Sequence, residues 1–450
     1  MIFAKTALLP DGWANDVLVR LSQGRITSVD VGALPQGQRV DILLPAMVNL
    51  HSHTFQRAMA GLTEKRGPGQ DSFWTWRTLM YRFLDRLSPQ DVESVAAMVM
   101  LEMAEAGYAA VAEFHYLHHA PGGGTYADLA EMSARIAAAA AQTGLGLTHL
   151  PVLYQRGGCD NRALTTGQLR FGNDPERFAK LWQAAAEALK GLPQDTVLGV
   201  APHSLRAVDA AGLALAASLS PGTPVHIHVA EQMAEVDEVR QATGARPVEY
   251  LLAQHDLSSR WCLIHATQMA AFETEALARS GAVAGLCPIT EANLGDGIFD
   301  GVRFAAAGGV FGVGSDSNVR ISLSEELRLY EYSQRLLHRG RAMLGTAEKS
   351  TGRILYETAC RGGALAGGRE SGGVAVGHWA DLLALDGSGP DLAGSAGDTI
   401  LDTFVFAGDD RMVAEVWSAG RHIVSGGRHA RRAEIREAYG RVMARLRHDL

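Results

Sequence analysis

The sequence has 450 residues, of which 47% are hydrophobic and 20% are charged, and its formal net charge at pH 7 is −8. This composition is typical of a globular protein with a large core and excludes the collagen-like and disordered classes. The modest acidity gives no reason to expect binding to nucleic acid or to an anionic membrane. No apolar stretch reaches the length of a membrane span, and the N-terminus lacks a secretory pattern, so we expect a cytoplasmic protein.

The cysteine pattern excludes two further classes of protein. Cys159, Cys262, Cys287 and Cys360 are far apart and form no Cys-x-x-Cys pair. Such spacing argues against a disulfide framework and against a thiolate zinc site. We therefore expect four buried thiols in a reducing compartment.

The predicted elements begin with short strands and continue as an alternating pattern. Residues 1–42 alternate between apolar and polar side chains, as surface strands do. Eight apolar runs rich in β-formers follow, separated by segments of helical pattern: 43–51, 108–115, 146–153, 196–203, 224–229, 261–266, 282–287 and 309–313. Most of these runs lack period-two alternation, which favours parallel strands buried on both faces. The fold class is therefore α/β, with a (β/α)8 barrel predicted over residues 43–373.

One predicted helix between the first two runs can be followed residue by residue. Ser88 is its expected N-cap, Pro89 suits the first turn, and Asp91 completes a capping box. The apolar face of this helix repeats at helical spacing through Val92, Val95, Val99 and Met103. Gly107 then predicts the end of the helix.

The C-terminal part of the chain departs from the barrel pattern. Residues 374–428 again favour strands, and we expect them to form a small discontinuous β-sandwich domain with residues 1–42. Residues 429–450 are predicted to be a final basic helix with a solvated charged face.

Histidines concentrate where the predicted barrel strands end. The chain has 16 histidines. Those at or near strand ends are His51, His53, His115, His203, His226, His228 and His265, and Asp316 follows the eighth strand. Because the carboxyl ends of barrel strands form the active-site rim, this distribution predicts a catalytic site there.

A subset of these residues has the pattern of a metal site. His51 and His53 are two positions apart in a strand, so both imidazoles point the same way. His228 adds a third nitrogen and Asp316 a carboxylate, a donor set that suits Zn²⁺ or Fe²⁺ and lowers the pKa of a bound water towards about 7. The fourth strand contains no lysine that could be carbamylated and bridge two ions, so we expect one ion.

Two more residues are candidates for proton transfer. Glu231, three residues after His228, is placed to protonate a leaving group, although a carboxylate at a helix start is the structural alternative. His265 ends the sixth strand and is expected to orient the water beside Asp316.

Longer runs around these residues carry a family resemblance. The runs are residues 49–64, 72–77, 112–116, 203–208, 226–232 and 290–299. On them the sequence resembles the amidohydrolase superfamily, in its mononuclear deaminase branch, and most closely the formimidoylglutamate deiminases of histidine degradation. The resemblance implies one Zn²⁺ per subunit, with Fe²⁺ as the alternative, and a homodimer.

The resemblance also implies a role for individual residues. The implied metal ligands are His51, His53, His228 and Asp316, and the implied catalytic residues are Glu231, His265 and Asp316. The implied substrate contacts are Gln56, Arg77, Tyr116, His203 and Arg206.

The implied reaction is hydrolytic deamination of N-formimidoyl-L-glutamate to N-formyl-L-glutamate and ammonia. This substrate is a small dicarboxylate, and guanidinium forks bind carboxylates bidentately, so Arg77 and Arg206 could each hold one. A related deaminase acting on a cyclic amidine or nucleobase is the alternative, and its pocket would favour stacking aromatics over two arginines. A non-catalytic metal-binding protein on this scaffold would normally lack a ligand or Glu231, yet all are present.

Overall fold

The computed structural model describes residues 1–65 and 73–448. The start of the 72–77 run and the last two residues of the predicted final helix lie outside the described residues. In chain order the strands are β1 (Ile2–Leu9), β2 (Gly12–Ser22), β3 (Arg25–Asp30), β4 (Gln38–Pro45), β5 (Met47–Ser52), β6 (Tyr108–His115), β7 (Gly146–Leu153), β8 (Val197–Leu198), β9 (Ala201–Pro202), β10 (Val225–Val229), β11 (Trp261–His265), β12 (Val283–Leu286), β13 (Val310–Val313), β14 (Leu382–Leu385), β15 (Val413–Ser418), β16 (Arg421–Ser425) and β17 (Arg428–His429).

The α-helices alternate with the central strands. They are α1 (Phe73–Leu84), α2 (Pro89–Glu105), α3 (Glu131–Thr143), α4 (Pro175–Leu189), α5 (Ala210–Leu219), α6 (Met233–Thr243), α7 (Pro247–Gln254), α8 (Ala271–Ser280), α9 (Pro288–Leu294), α10 (Gly301–Ala306), α11 (Leu323–His338), α12 (Thr351–Ala366), α13 (Asp398–Asp402) and α14 (Arg432–His448). Within the described ranges, no helix combines the length and the apolarity that crossing a membrane requires.

Strands β5 to β13 form the predicted parallel barrel. The order β5-β6-β7-β8 makes one parallel ladder, β9 pairs with β7, and β10 to β13 make a second ladder. Isolated bridges join the two ladders, two on one side (Val200 to Val225 and Ser204 to His228) and one on the other (Ser52 to Asp316). The two short strands β8 and β9 together occupy the fourth position. The (β/α)8 prediction is confirmed, and the carboxyl ends of its strands meet on one face.

The first barrel strand starts later than the sequence pattern suggested. The apolar run 43–51 is divided, because β4 ends at Pro45 and β5 begins at Met47. Strand β4 pairs with β1 and β14, whereas β5 pairs with β6. The chain passes from one sheet to the next through Ala46 alone. Hydrophobic pattern could not reveal this boundary, since both strands are buried and no turn residues separate them.

The terminal segments meet in one mixed sheet of eight strands, ordered β17-β16-β15-β14-β4-β1-β2-β3. Alternate residues of this sheet pack into two different hydrophobic cores. Leu43, Leu382 and Trp417 belong to a cluster within the terminal sheet. Their strand neighbours Leu44, Leu383 and Val416 join the barrel core. The division into a discontinuous terminal domain, a barrel and a final helix stays a prediction.

A local signal defines the start of α2, and long-range ion pairs hold α14 against this helix. The Ser88 side chain accepts a hydrogen bond from the Asp91 N–H, and the Asp91 carboxylate accepts one from the Ser88 N–H, so the predicted capping box is confirmed. The basic helix α14 pairs with α2 through Arg445 to Asp91 and Arg432 to Glu105. Its basic face is thus partly engaged rather than wholly solvated.

A buried ion network joins the barrel to the terminal sheet. The fully buried Arg369 donates two hydrogen bonds of 3.0 Å to the Asp381 carboxylate and one of 3.0 Å to that of Asp195. Arg421 adds bonds of 2.7 and 2.8 Å to Asp195. Burial by itself raises the pKa of Asp195, but these guanidiniums hold it below its ordinary value.

The cysteines follow the sequence expectation with one exception. Cys262, Cys287 and Cys360 are buried free thiols, but Cys159 is only half-buried. It lies in the connection between β7 and α4, where it packs against the barrel core but stays partly exposed.

Candidate metal and catalytic site

The four predicted metal ligands converge at the carboxyl end of the barrel. The nearest ligand atoms of His51, His53, His228 and Asp316 all lie within 4.8 Å of one another, and all four side chains are buried. The Nε2 atoms of His51 and His228 are 3.0 Å apart. The Asp316 Oδ1 atom is 3.2 Å from His53 Nε2 and 3.5 Å from His51 Nε2.

Backbone contacts between the first and last barrel strands hold these ligands in register. The Asp316 N–H donates to the His51 carbonyl at 2.9 Å, and the His53 N–H donates to the Asp316 carbonyl at 2.9 Å. The Asn318 amide donates to Ser52 Oγ and to the His53 carbonyl. Asp316 has a φ of +45°, which is unfavourable for a non-glycine residue and is found mainly where surrounding structure enforces it.

Hydrogen bonds to carbonyl oxygens set two of the imidazole tautomers. Because a carbonyl only accepts, Nδ1–H of His53 donates to Phe114 O at 2.9 Å and Nδ1–H of His228 donates to His203 O at 3.2 Å. Each Nε2 therefore carries a lone pair directed towards the cluster. Such outer partners are typical of metal-binding histidines.

The charges of the cluster fit a divalent cation. Burial lowers the pKa of His51 to about 3 and that of His228 well below its usual value, so these imidazoles are neutral. Burial alone would raise the pKa of Asp316, but His51 and His53 hold it well below its ordinary range. The Nε2 atoms of His51 and His228, 3.0 Å apart, are close enough for both to bind one cation. Three imidazoles and one carboxylate are a donor set for Zn²⁺ or Fe²⁺.

Glu231 and His265 lie beside this cluster. His265 Nε2 is 3.7 Å from Glu231 Oε1 and 3.9 Å from Asp316 Oδ2. Burial by itself lowers the pKa of His265, but the carboxylates of Glu231, Glu291 and Asp316 together raise it well above its usual value. The arrangement therefore pairs a buried carboxylate with a cationic imidazole, which is suited to moving protons.

Two neighbouring carboxylates shape the surroundings of Glu231. The Glu235 carboxylate accepts the backbone N–H groups of Ala230 and Glu231 at 3.1 and 3.2 Å, which fixes the chain where Glu231 projects. Burial raises the pKa of Glu231 to about 6. Burial and the charge of Glu231 raise the pKa of Asp296 well above its usual value.

The predicted substrate contacts line one cavity with the catalytic residues. The lining includes Gln56, Arg77, Tyr116, His203 and Arg206 together with His53, His228, Glu231, His265 and Asp316. Trp76, Tyr81, Tyr154 and Phe171 contribute aromatic walls.

Hydrogen bonds orient the polar groups of this cavity. Gln56 Nε2 donates to the Tyr116 hydroxyl at 2.7 Å. Arg77 donates to the hydroxyl of Tyr81 and, at 3.5 Å, to that of Tyr154. The aromatic walls therefore hold a guanidinium as well as offering flat surfaces.

Two rim histidines suggested by the sequence do not join the site. His226 Nε2 donates to the Ala366 carbonyl at 2.8 Å, one layer away from His228 on the same strand. The His115 ring packs against His118 and His149 instead of the cavity, because it alternates with Phe114 along β6. His115 does end β6 but points away from the cavity, whereas His226 is the second residue of β10 and lies too deep in the barrel to reach it.

The structure adds residues that the sequence analysis left without a role. Glu291 contacts His265, while Asp296 lies with Glu231 and His265 in a second group of close ligand atoms. Both belong to the 290–299 run, directly after the seventh barrel strand. The rule that rim residues follow strand ends could have found them, had carboxylates been weighed there as well as histidines.

Comparison with known proteins agrees with the fold. The Amidohydrolase family model matches residues 42–423, and the model of the formimidoylglutamate deiminase HutF N-terminal domain matches residues 1–39. A formimidoylglutamate deiminase from Pseudomonas aeruginosa is 48% identical over 450 residues, covering 99% of both chains.

Solved structures give the same picture. An amidohydrolase from Brucella melitensis superposes with a TM-score of 0.95 at 49% identity, covering 99% of both chains. An adenosine deaminase from Xanthomonas campestris with bound zinc has a TM-score of 0.82 at 19% identity, covering 99% of this chain and 98% of its own, and shares the fold. This chain therefore belongs to the amidohydrolase family.

Proposed function

We propose that this enzyme deaminates N-formimidoyl-L-glutamate in histidine degradation, producing N-formyl-L-glutamate and ammonia. The observation that carries the proposal is that Arg77 and Arg206 line the same cavity as Glu231 and the metal cluster. A substrate with two carboxylates and one reactive amidine carbon matches that combination. The high identity to a formimidoylglutamate deiminase over nearly the whole chain supports the same substrate.

Substrate binding is assigned to the arginines and their neighbours. Each guanidinium takes one carboxylate of the glutamate moiety through paired hydrogen bonds. Tyr81 and Tyr154 restrict the orientation of Arg77, so less of its freedom is lost when the substrate binds. Gln56, Tyr116 and His203 offer uncharged donors and acceptors to the amide-like part of the substrate.

The proposed cofactor is one Zn²⁺ per subunit, with Fe²⁺ as the alternative, held by His51, His53, His228 and Asp316. A divalent cation there supplies a Lewis acid that lowers the pKa of water towards about 7. The neutral imidazoles and the ionised carboxylate support this assignment.

The protein's own groups carry the protons. Glu231 carries both protons of the attacking water in turn: it moves the first from the water to the imine nitrogen as the C–O bond forms, and the second from the hydroxyl of the tetrahedral adduct to the same nitrogen as the C–N bond breaks and ammonia leaves. Asp316 Oδ2 accepts a hydrogen bond from that water and so orients it, while the cationic His265, 3.9 Å from Oδ2, stabilises the negative charge that develops on the water oxygen. One water is consumed and one ammonia is released.

Two further properties belong to the proposal. We expect a homodimer and a cytoplasmic location, as the resemblance to formimidoylglutamate deiminases and a pathway of small-molecule degradation suggest. Sedimentation of the purified protein and fractionation of cells test these two points separately.

The decisive experiment compares substrates on one preparation of known metal content. We expect ammonia release from N-formimidoyl-L-glutamate and little from an aminopurine nucleoside. Preference for the nucleoside would support the alternative, a deaminase of cyclic amidines, and no release from either would argue for a non-catalytic scaffold.

The role of Glu231 is tested by E231Q, which keeps the shape of the side chain but cannot carry the proton. We expect kcat to fall by about 10²–10⁴ with the metal content unchanged. Turnover near the wild-type rate in a metal-replete E231Q sample would exclude Glu231 as the proton carrier.

A further inference from the structure

We infer that Glu291 is a positioning residue of the proposed deamination, holding His265 so that its Nε2 atom faces Glu231 and Asp316. This inference rests on the proposed function, because it concerns a residue that acts through His265. Glu291 is in the first turn of α9, after the seventh barrel strand, and it does not line the substrate cavity.

The contact that carries the inference is a buried imidazole–carboxylate pair. Nδ1–H of His265 donates to Glu291 Oε1 at 3.2 Å, and only about 7% of the Glu291 side chain and 1% of the His265 side chain are exposed. A carboxylate at Nδ1 requires a proton on that nitrogen and fixes the plane of the ring. The opposite nitrogen, Nε2, is then directed at Glu231 Oε1 and Asp316 Oδ2, which lie 3.7 and 3.9 Å away.

The position of Glu291 is itself fixed by the backbone. The Cys287 N–H donates to the same Oε1 atom at 2.9 Å, and the Glu291 N–H donates to the Cys287 carbonyl at 2.8 Å. These two hydrogen bonds therefore fix the carboxylate at the end of β12. A rigid partner of this kind is what a catalytic imidazole needs from its neighbour.

The backbone of His265 explains why an external partner is needed. His265 and the next residue, Ala266, have φ values of +68° and +49°, a left-handed conformation that is costly for residues with side chains. The ladder between β10 and β11 ends with the Val229–His265 pair, so the ring lies at the mouth of the barrel. The bond to Glu291 holds the ring from the adjacent barrel unit.

Glu326 offers a matched control. It is another buried carboxylate of the same region, and its Oε2 accepts the Ile289 N–H at 2.9 Å. Each of the two glutamates thus accepts a backbone N–H near the start of α9, but of the two only Glu291 contacts His265.

The experiment uses E291Q, E291L and E326L in the zinc-loaded full-length protein. E291Q keeps an oxygen that can accept Nδ1–H, whereas E291L keeps only the bulk of the side chain. We expect kcat for N-formimidoyl-L-glutamate to fall about tenfold in E291Q and about 100-fold in E291L, with KM unchanged. E326L loses a comparable backbone acceptor and should keep a kcat near the wild-type value.

A second measurement follows the imidazole directly. Wild-type protein should give a downfield proton resonance for the Nδ1–H of His265, assigned by its disappearance in H265Q. We expect this resonance to persist in E291Q and in E326L and to vanish in E291L. This readout does not depend on turnover, and a general loss of stability would affect E326L and E291L alike.

Three results would overturn the inference. They are a wild-type kcat in E291L, equal losses of kcat in E291L and E326L, and a second metal equivalent that E291L removes, which would make Glu291 a ligand. Inactive wild-type protein would instead contradict the proposed function, and the resonance would then still report whether Glu291 holds His265.

Discussion

Replacing Arg369 by methionine should destabilise the whole molecule, because this side chain neutralises two buried carboxylates between the barrel and the terminal sheet. Arg369 makes two bonds of 3.0 Å to Asp381, and it bonds to the carboxylate and the carbonyl of Asp195 at 3.0 and 2.7 Å. In R369M, Asp381 would keep a single bond of 2.7 Å, from the Ala419 N–H.

The expected cost follows from the charge that is left behind. Removing one partner of a buried ion pair costs about 3–5 kcal/mol in free energy of unfolding. R421M should cost less, about 1–2 kcal/mol, because Asp195 keeps Arg369 and the Arg421 side chain is already 29% exposed. The double variant R369M/D381N removes the stranded charge and should be more stable than R369M alone.

Urea unfolding at pH 7, followed by tryptophan fluorescence, measures these differences. R361M, an exposed substitution on α12, the helix that precedes Arg369, is the control and should lie within about 0.5 kcal/mol of wild type. Wild-type stability in R369M would refute the reasoning, as would a double variant less stable than R369M. Because the folded-state pKa of Asp195 is depressed, the contribution of this network is present above the unfolded pKa of about 4 and is lost as the pH falls through the folded value.

Three further predictions concern the site and its surroundings. Burial lowers the pKa of His149 to about 3. Below pH about 6.5, this imidazole is therefore protonated in the unfolded chain but stays neutral in the folded chain. Stability is therefore lost as the pH falls, and between pH 6.5 and 5 wild type should lose about 2 kcal/mol more than H149Q; parallel urea midpoints for the two proteins would contradict this. R206K keeps the charge but not the fork, and KM for N-formimidoyl-L-glutamate should rise at least about tenfold, as steady-state kinetics will measure. R206M and R77M should each weaken binding of the dicarboxylate substrate by about 2 kcal/mol. Each variant should bind the analogue that lacks the carboxylate held by the replaced arginine as well as wild type does. Equal losses for all substrates would show that these arginines do not bind carboxylates.

Most of the fold and of the site could be predicted from the sequence, because both depend on short-range patterns. Continuous apolar runs predict buried parallel strands, and the residue that follows such a run lies on the barrel rim. That reasoning was sufficient to bring His51, His53, His228 and Asp316 into one group. The capping box at Ser88 could likewise be predicted, because all its atoms belong to neighbouring residues.

The features that could not be predicted from the sequence depend on where side chains lie in the barrel and on pairing between distant parts of the chain. The division at Ala46 is set by the partners of β4 and β5, which no local pattern encodes. His226 shares its strand with His228 but lies one layer deeper, and Glu291 acts from a neighbouring barrel unit. In each case, the deciding contact joins residues that are distant in sequence.

The central claim is that four residues from three distant parts of the chain hold one catalytic cation. Anomalous diffraction at the zinc absorption edge, from crystals of the zinc-loaded protein, locates that ion without reference to activity. We expect one strong peak among His51, His53, His228 and Asp316, within about 2.0–2.2 Å of their nitrogen and oxygen atoms. A peak at His265, Cys287 and Glu291 instead, or none at the four predicted ligands, would contradict the account.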